Sequence, residues 1–128
     1  MLQPKELNHV GLTVTDLDKA LHFYQLLGLT LLRTSGPNAD GVRSAVLQVG
    51  SQELNVFSKA GLASSDAEDL VGIHHFCLTM DAASIDDVIA GLRLVGLSIV
   101  RGPVKRRDGT SLFLSDPDGI RVELRLET

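Results

Sequence analysis

Residues of metal-ligating type stand at one position in each of four predicted β-strands, and they are His9, Glu53, His75 and Glu123. Two neutral imidazoles and two carboxylates balance the charge of a divalent cation. Such a mixed nitrogen and oxygen donor set suits Ni²⁺, Zn²⁺, Fe²⁺, Co²⁺ or Mn²⁺, and coordination geometry rather than ligand softness selects among them. The sequence therefore predicts one divalent metal ion as cofactor, with its identity open among these metals.

The strands that carry these residues alternate apolar side chains with polar or small ones. In the first strand, Val10, Leu12 and Val14 fall on one face, because successive side chains of a strand point to opposite faces. His9 falls on the other face. The same alternation recurs in three further stretches, 52–58, 73–80 and 120–126. If both halves of the chain curve their sheets in the same way, the four ligands converge inside a cup.

The two halves of the chain resemble each other. Residues 7–14 (LNHVGLTV) match residues 73–80 (IHHFCLTM), and each stretch is followed by a helical pattern and three short β-like runs. Turn residues such as Gly50-Ser51 and Asp108-Gly109 separate these runs. Each half therefore reads βαβββ.

Apolar residues at helical spacing predict one helix in each half. The first has Thr15 or Asp16 as its N-cap, and the second begins after Ser84, which opens a capping-box pattern. Gly28 and Gly96 are placed to end these helices in the left-handed conformation. The strands predicted after the helices are 29–34, 42–49 and 52–58 in the first half, and 97–101, 110–115 and 120–126 in the second.

A single domain over 1–128 is expected, because 128 residues is an ordinary domain size. Within it, module 1 covers about 5–58 and module 2 about 72–127. The stretch between them, about 59–71, is rich in alanine, glycine, serine and acidic residues, and we expect it to be a linker.

Composition is that of an ordinary globular protein, with 44% hydrophobic and 22% charged residues. The net charge of −4 argues against nucleic acid and membrane surfaces as partners, because phosphate binding requires clustered positive charge. No apolar run is long enough to span a membrane, and the N-terminal stretch lacks the pattern of a secretory signal. The one cysteine, Cys77, fits a reducing compartment. We therefore expect a cytoplasmic protein that acts on a small molecule.

Several short motifs, in their order along the chain, resemble the vicinal oxygen chelate superfamily, which includes glyoxalase I, bleomycin-resistance proteins and extradiol dioxygenases. They are Asn8-His9-Val10-Gly11-Leu12, Asp16-Leu17, Phe23-Tyr24 before Leu27-Gly28, Gly102-Pro103-Val104, and Asp116-Pro117-Asp118-Gly119 leading into Val122-Glu123-Leu124. The resemblance covers nearly the whole chain. It implies an α+β fold in which two βαβββ modules form a cup-shaped, barrel-like mixed sheet around a metal, with the helices on the outside.

The ligand pattern is most similar to that of glyoxalase I, whose four metal-ligand positions are matched in order by His9, Glu53, His75 and Glu123. In that family the metal holds the substrate oxygens while a ligand carboxylate moves a proton between adjacent carbons. The resemblance therefore implies that Glu123 or Glu53 is the catalytic base. It implies a homodimeric lyase or isomerase that acts on a small oxygenated metabolite through an enediolate.

Two departures from glyoxalase I concern the thiol partner. Thr13 and Phe57 stand where those enzymes carry an arginine and an asparagine for glutathione, so the resemblance does not extend to glutathione itself. Both remain candidate substrate contacts, and Arg106 or Arg107 would hold an anionic substrate. The remaining candidates share a strand face with a predicted ligand, and they are Asn55, Cys77 and Arg121.

Other activities of the superfamily stay open. A binding protein of the bleomycin-resistance type would sequester an antibiotic or metabolite in the cup, with or without metal. An epimerase would use closely similar proton chemistry. An extradiol dioxygenase binds Fe²⁺ through two histidines and one carboxylate, so Glu53 would occupy a position needed for catecholate or oxygen.

Overall fold

The computed structural model describes residues 1–62 and 72–128. These residues form two compact units, one on either side of 63–71. The predicted linker, about 59–71, lies for the most part outside the described residues. Each unit has the element order βαβββ.

The first unit contains β1 (His9–Val14), α1 (Leu17–Leu26), β2 (Thr30–Ser35), β3 (Val42–Val49) and β4 (Gln52–Lys59). Its strands form one open sheet in the order β1-β4-β3-β2. The pairing of β1 with β4 is parallel, and the other two pairings are antiparallel. The first and last strands of the unit are therefore neighbours, which places their polar residues next to each other.

The second unit contains β5 (His75–Thr79), α2 (Ile85–Val95), β6 (Arg101–Arg106), β7 (Gly109–Ser115) and β8 (Arg121–Glu127). Its sheet has the order β5-β8-β7-β6, and β5 is parallel to β8. The topology repeats that of the first unit, so the α+β class and the two βαβββ modules predicted from sequence are confirmed. Neither sheet closes on itself. The cup formed by the two modules together stays a prediction.

Helix α1 forms as its apolar spacing predicts. Asp16 is the N-cap, and its Oδ1 accepts a hydrogen bond of 3.0 Å from the backbone N–H of Lys19. Five apolar side chains are at most 8% exposed, and they are Leu17, Ala20, Leu21, Tyr24 and Leu27. They face the sheet, because α1 packs against β2, β3 and β4. Burial of each large side chain among them contributes about 1.5–3 kcal/mol.

Helix α2 is capped at both ends as predicted. The Oγ of Ser84 accepts a hydrogen bond of 3.2 Å from the backbone N–H of Asp87. Gly96 ends the helix in the left-handed conformation, with φ of 79°. Neither helix of the described residues is long and apolar enough to cross a membrane.

The predicted strand at 97–101 is wrong, because the structure places β6 at Arg101–Arg106. Gly102-Pro103 lies inside β6 at a shift of register between Arg101 and Val104. Proline lacks a backbone N–H, and an edge strand such as β6 tolerates this at a bulge. Gly102 has φ of 104°, and a Cβ there would lie 2.7 Å from the carbonyl oxygen of Ser111.

The predicted alternation of faces is confirmed in the first sheet. Leu12, Val14, Leu54 and Val56 are at most 8% exposed and form the core face. The opposite side, which we call the polar face of the first sheet, carries His9, Gly11 and Thr13 of β1 and Glu53, Asn55 and Phe57 of β4. The polar face of the second sheet likewise carries His75, Cys77 and Thr79 of β5 and Arg121, Glu123 and Arg125 of β8.

Candidate metal and substrate site

Two of the predicted ligands are neighbours on the polar face of the first sheet. His9 on β1 and Glu53 on β4 are Cα partners across the parallel pair, so their side chains leave the same face. His9 is exposed and Glu53 is half-buried. The following pairs along the two strands bring three predicted substrate contacts beside them, namely Thr13, Asn55 and Phe57.

The ring of His9 is oriented by the residue before it. His9 Nδ1 lies 2.9 Å from Oδ1 of Asn8. An amide oxygen only accepts hydrogen bonds, so Nδ1 carries the proton and Nε2 keeps its lone pair. Histidines that bind metals commonly use one ring nitrogen as ligand and donate from the other to an oxygen. The environment of His9 therefore fits a metal ligand.

Asn55 holds a polar atom that the described residues do not satisfy. Its Oδ1 is buried and has no hydrogen-bond partner among them. Buried polar atoms are nearly always paired in native proteins, and an exception calls for a ligand, a water or an ion. The position next to Glu53 on β4 is consistent with the substrate contact predicted for Asn55.

The other two predicted ligands are in direct contact on the second sheet. His75 Nε2 lies 3.1 Å from Oε1 of Glu123. Two ligands that bind one ion at about 2.1 Å and at a right angle are about 3 Å apart. Imidazole nitrogen and carboxylate oxygen are also the donors that the predicted metals prefer. The separation is that of a hydrogen bond from Nε2–H to the carboxylate, and it also matches the spacing of two ligands that share one ion.

Glu123 is a buried carboxylate with its own hydrogen-bond donors, and it is only 4% exposed. Ser111 Oγ donates to Oε2 over 2.7 Å, and Arg125 Nη2 donates to the same oxygen over 3.2 Å. Burial alone would raise the pKa of Glu123, but these hydrogen bonds and the charges of Arg125 and His75 outweigh it and lower the pKa. Glu123 is therefore ionised at neutral pH, as a metal ligand must be.

Ser111 was missed by the sequence analysis, although a signal was present. It alternates with Leu112 and Leu114 in the predicted strand 110–115, which places it on the face opposite to those leucines. The structure shows Ser111 fully buried at that position. Arg125, which lies on the same strand face as Glu123, pairs with both Glu123 and Asp108.

Cys77 stands directly across from Glu123 on the parallel strand pair. Burial, and next the charge of Glu123, raise the pKa of the Cys77 thiol to about 11. The thiol is therefore protonated at neutral pH and supplies a small uncharged surface beside the carboxylate. Arg121 is the Cα partner of His75 and leaves the same face, so it also lies beside the pair.

The two arginines of the predicted basic loop differ in their placement. The Arg106 guanidinium lies over the ring of Phe113, with its Cζ 5.9 Å from the ring centroid. Arg107 is exposed in the turn between β6 and β7. Among the described residues, no hydrogen bond or ion pair links Arg107 to His75 or Glu123.

Each unit supplies a pair of candidate ligands and not a complete centre. Within either unit, the residues that the structure describes contain no group of three or more His, Cys, Asp and Glu side chains able to hold a metal ion. A centre of four ligands needs both pairs, from one chain or from two. The four-ligand centre stays a prediction.

Residues 6–124 match the family model described as the Glyoxalase/Bleomycin resistance protein/Dioxygenase superfamily. The protein therefore belongs to this superfamily, as its motifs had indicated.

Two relatives and one solved structure show the range of its similarities. "Glyoxalase domain-containing protein RDO1" of Mycosarcoma maydis is 29% identical, over 96% of this chain and 69% of that protein. "Probable lactoylglutathione lyase" of Synechocystis is 32% identical, over 91% of each protein. The crystal structure of a glyoxalase family protein from Enterococcus faecalis aligns with a TM-score of 0.79 at 27% identity, covering 94% of this chain and 97% of that chain.

Proposed function

We propose that the protein is a metal-dependent lyase or isomerase of the glyoxalase I type. It would move a proton between adjacent carbons of a small oxygenated metabolite through an enediolate. The observation that carries the proposal is the 3.1 Å approach of His75 Nε2 to Glu123 Oε1. The name of the Synechocystis relative, a lactoylglutathione lyase, supports the same class of reaction.

The predicted cofactor is one divalent ion, Ni²⁺, Zn²⁺, Fe²⁺, Co²⁺ or Mn²⁺. When bound, such an ion holds vicinal oxygens of a substrate and stabilises the negative charge that develops on them. Its ligands would be His9, Glu53, His75 and Glu123. We propose that a homodimer is the functional form, in which the four ligands of one centre come from one chain or from both.

Of the two carboxylates, we assign proton transfer to Glu53. Glu123 accepts hydrogen bonds from Ser111 and Arg125, and these contacts lower its pKa and weaken it as a proton acceptor. Glu53 has no such hydrogen bond among the described residues, so its carboxylate is free to turn towards a substrate carbon. Glu123 would then act as a fixed ligand, held in one orientation by its donors.

The polar face of the first sheet would contact the substrate. Phe57 is 40% exposed beside Thr13 and offers an apolar surface, while the buried Oδ1 of Asn55 offers a hydrogen-bond acceptor. Both Thr13 and Phe57 replace residues that bind glutathione in glyoxalase I, so we propose a different thiol or none. We place the reaction in the cytoplasm, because an unpaired cysteine such as Cys77 suits a reducing compartment.

The first test is the metal content of protein purified without an affinity tag or chelator. We expect close to one divalent ion for each complete set of ligands, and loss of the metal in H75A and H9A. The matched control is H22A, because His22 is exposed on α1 and away from the polar face. If the protein contained no metal and took up none of the five ions when they were added, the catalytic proposal would be wrong. A small-molecule binding protein would then be the better interpretation.

The second test is turnover of the hemithioacetal of methylglyoxal, formed with several thiols. An amide oxygen still ligates a metal, so E53Q and E123Q should both be assayed per bound metal. We expect E53Q to lose at least about 100-fold in kcat, the usual contribution of a general base, and E123Q to lose less. Oxygen consumption with a catechol only after Fe²⁺ loading would instead indicate a dioxygenase.

A further inference from the structure

We propose that Arg101, Arg106 and Phe113 form a binding site for an anionic group of the substrate. The enzyme would accordingly prefer substrates that carry a carboxylate or phosphonate close to the reacting carbons. This inference rests on the proposed function and specifies its substrate class.

The three residues are brought together by the edge of the second sheet. Arg101 on β6 is the Cα partner of Phe113 on β7, and its Cζ lies 5.2 Å from the centroid of the Phe113 ring. Arg106, at the other end of β6, reaches the same ring with its Cζ at 5.9 Å. Phe113 is only 4% exposed, whereas both arginines are exposed. A buried aromatic ring thus holds two exposed cations near each other.

Two guanidinium groups that share one ring repel each other unless an anion lies between them. Arg43 and Arg125 each have an acidic partner, Asp18 and Glu123 respectively. Among the described residues, Arg101 and Arg106 have none. Guanidinium groups bind carboxylate and phosphate-like groups through paired hydrogen bonds, so an oxyanion would relieve the repulsion and bind both arginines.

The location links this site to the candidate metal ligands. Phe113 is the Cα partner of Glu123 across β7 and β8, and its ring centroid lies 6.2 Å from that of His75. The Phe113 ring therefore lies between the two arginines and the His75–Glu123 pair, and all of these residues belong to the second sheet. A substrate whose vicinal oxygens reach this pair would present an anionic group to the arginines only if that group lies a few bonds away.

The test compares two hemithioacetals of methylglyoxal, one formed with 3-mercaptopropionate and one with 2-mercaptoethanol. The first adduct carries a carboxylate and the second is neutral. We expect kcat/KM to be about ten-fold higher for the anionic adduct, and R101Q and R106Q each to lower kcat/KM for the anionic adduct much more than for the neutral one, so that most of the preference is lost. R101K should retain part of it, because lysine keeps the charge but not the planar fork.

The matched control is R33Q, since Arg33 is exposed on β2 of the first unit. It should keep the full preference. Equal loss of preference in R33Q would show a general effect of net charge and would overturn the proposal, as would equal kcat/KM for the two adducts in the wild-type protein.

Direct binding separates this inference from the proposed function. Malonate and methylphosphonate would be titrated into the metal-free protein and followed by NMR, with circular dichroism confirming that each variant is folded. Binding that R101Q and R106Q weaken at least about ten-fold, but R33Q does not, supports the anion site even if neither adduct is turned over. Binding that all variants share would overturn it. Comparison of the two ligands tells whether carboxylate or phosphonate is preferred.

Discussion

His75 Nε2 reaches Oε1 of Glu123 at 3.1 Å although the two residues are not Cα partners. His75 pairs with Arg121, and Glu123 pairs with Cys77, so the contact runs diagonally across β5 and β8. In the first sheet, His9 is the direct partner of Glu53. The two units therefore share a topology, but their candidate ligand pairs differ in register. Only in the second unit does a cysteine lie opposite the carboxylate.

The hydrogen bond from Ser111 to Glu123 should contribute to stability as well as to orientation. S111A removes the 2.7 Å donor from a buried carboxylate, and hydrogen bonds to charged groups are worth about 1.5–3 kcal/mol. We expect the free energy of unfolding to fall by that amount in a urea titration. S35A, at an exposed serine of β2, should change it by less than about 0.5 kcal/mol. Equal effects of the two substitutions would contradict this role of Ser111.

Stability should depend on pH through Glu123. Its pKa is lower in the folded protein than in the unfolded chain, whose value is about 4.3. The stabilisation is therefore complete above the unfolded pKa and is lost as pH falls through the folded pKa, because the unfolded chain then binds the proton more readily. We expect the stability difference between wild type and E123Q to shrink as pH falls below the unfolded pKa and through the lower folded one.

The measurement is urea unfolding of both proteins across this range, in the presence of a chelator so that no metal contributes. Other carboxylates titrate in both proteins alike and cancel in the difference. A difference between wild type and E123Q that stays constant with pH would show that the folded protein does not favour the ionised form of Glu123.

Much of the fold could be predicted because each half of the chain has clear strand alternation and clear helical spacing of its apolar residues. Alternation in 7–14 and 52–58 identifies the core and polar faces without any knowledge of strand pairing, since the period of a strand is two. Helical spacing and caps such as Asp16 and Ser84 locate both helices. The prediction of a strand at 97–101 was wrong because Gly102-Pro103 is equally compatible with a turn and with a bulge on an edge strand. Only pairing with the neighbouring strand distinguishes the two.

The contacts between side chains of the candidate site could not be predicted from the strand face of each residue alone. Ser111 and Arg125 could be placed on the same side as Glu123 by parity, but their hydrogen bonds to it depend on the register of β7 and β8. The cluster of Arg101, Arg106 and Phe113 depends on the bulge that lies within β6. Register is determined by turn geometry and by tertiary packing, which a single sequence does not reveal.

Two glycines of α2 should respond oppositely to alanine. Gly91 lies in the helix interior with open space at its Cβ position, so G91A should raise the free energy of unfolding by about 0.5–1 kcal/mol. Gly96 also has open space, but its φ of 79° is strained for alanine, so G96A should lower stability by about 1–2 kcal/mol. Urea titration of both variants checks this, and a loss of stability in G91A would contradict the helical assignment there.

Cys77 should react slowly with alkylating reagents, although part of the residue is exposed to solvent. Its pKa is raised to about 11, first by burial and then by Glu123, so the thiolate is about a hundred times scarcer at neutral pH than for an unperturbed thiol. Because Cys77 is the one cysteine of the chain, iodoacetamide incorporation reports on it alone. We expect the rate in metal-free native protein to be far below the rate in urea, and E123Q to react faster than wild type because one cause of the raised pKa is gone. Equal rates in native and unfolded protein would show that the fold does not raise the pKa of the thiol. Equal rates in wild type and E123Q would show that the thiol does not sense Glu123, and would argue against the close placement of β5 and β8 side chains from which the candidate site is built.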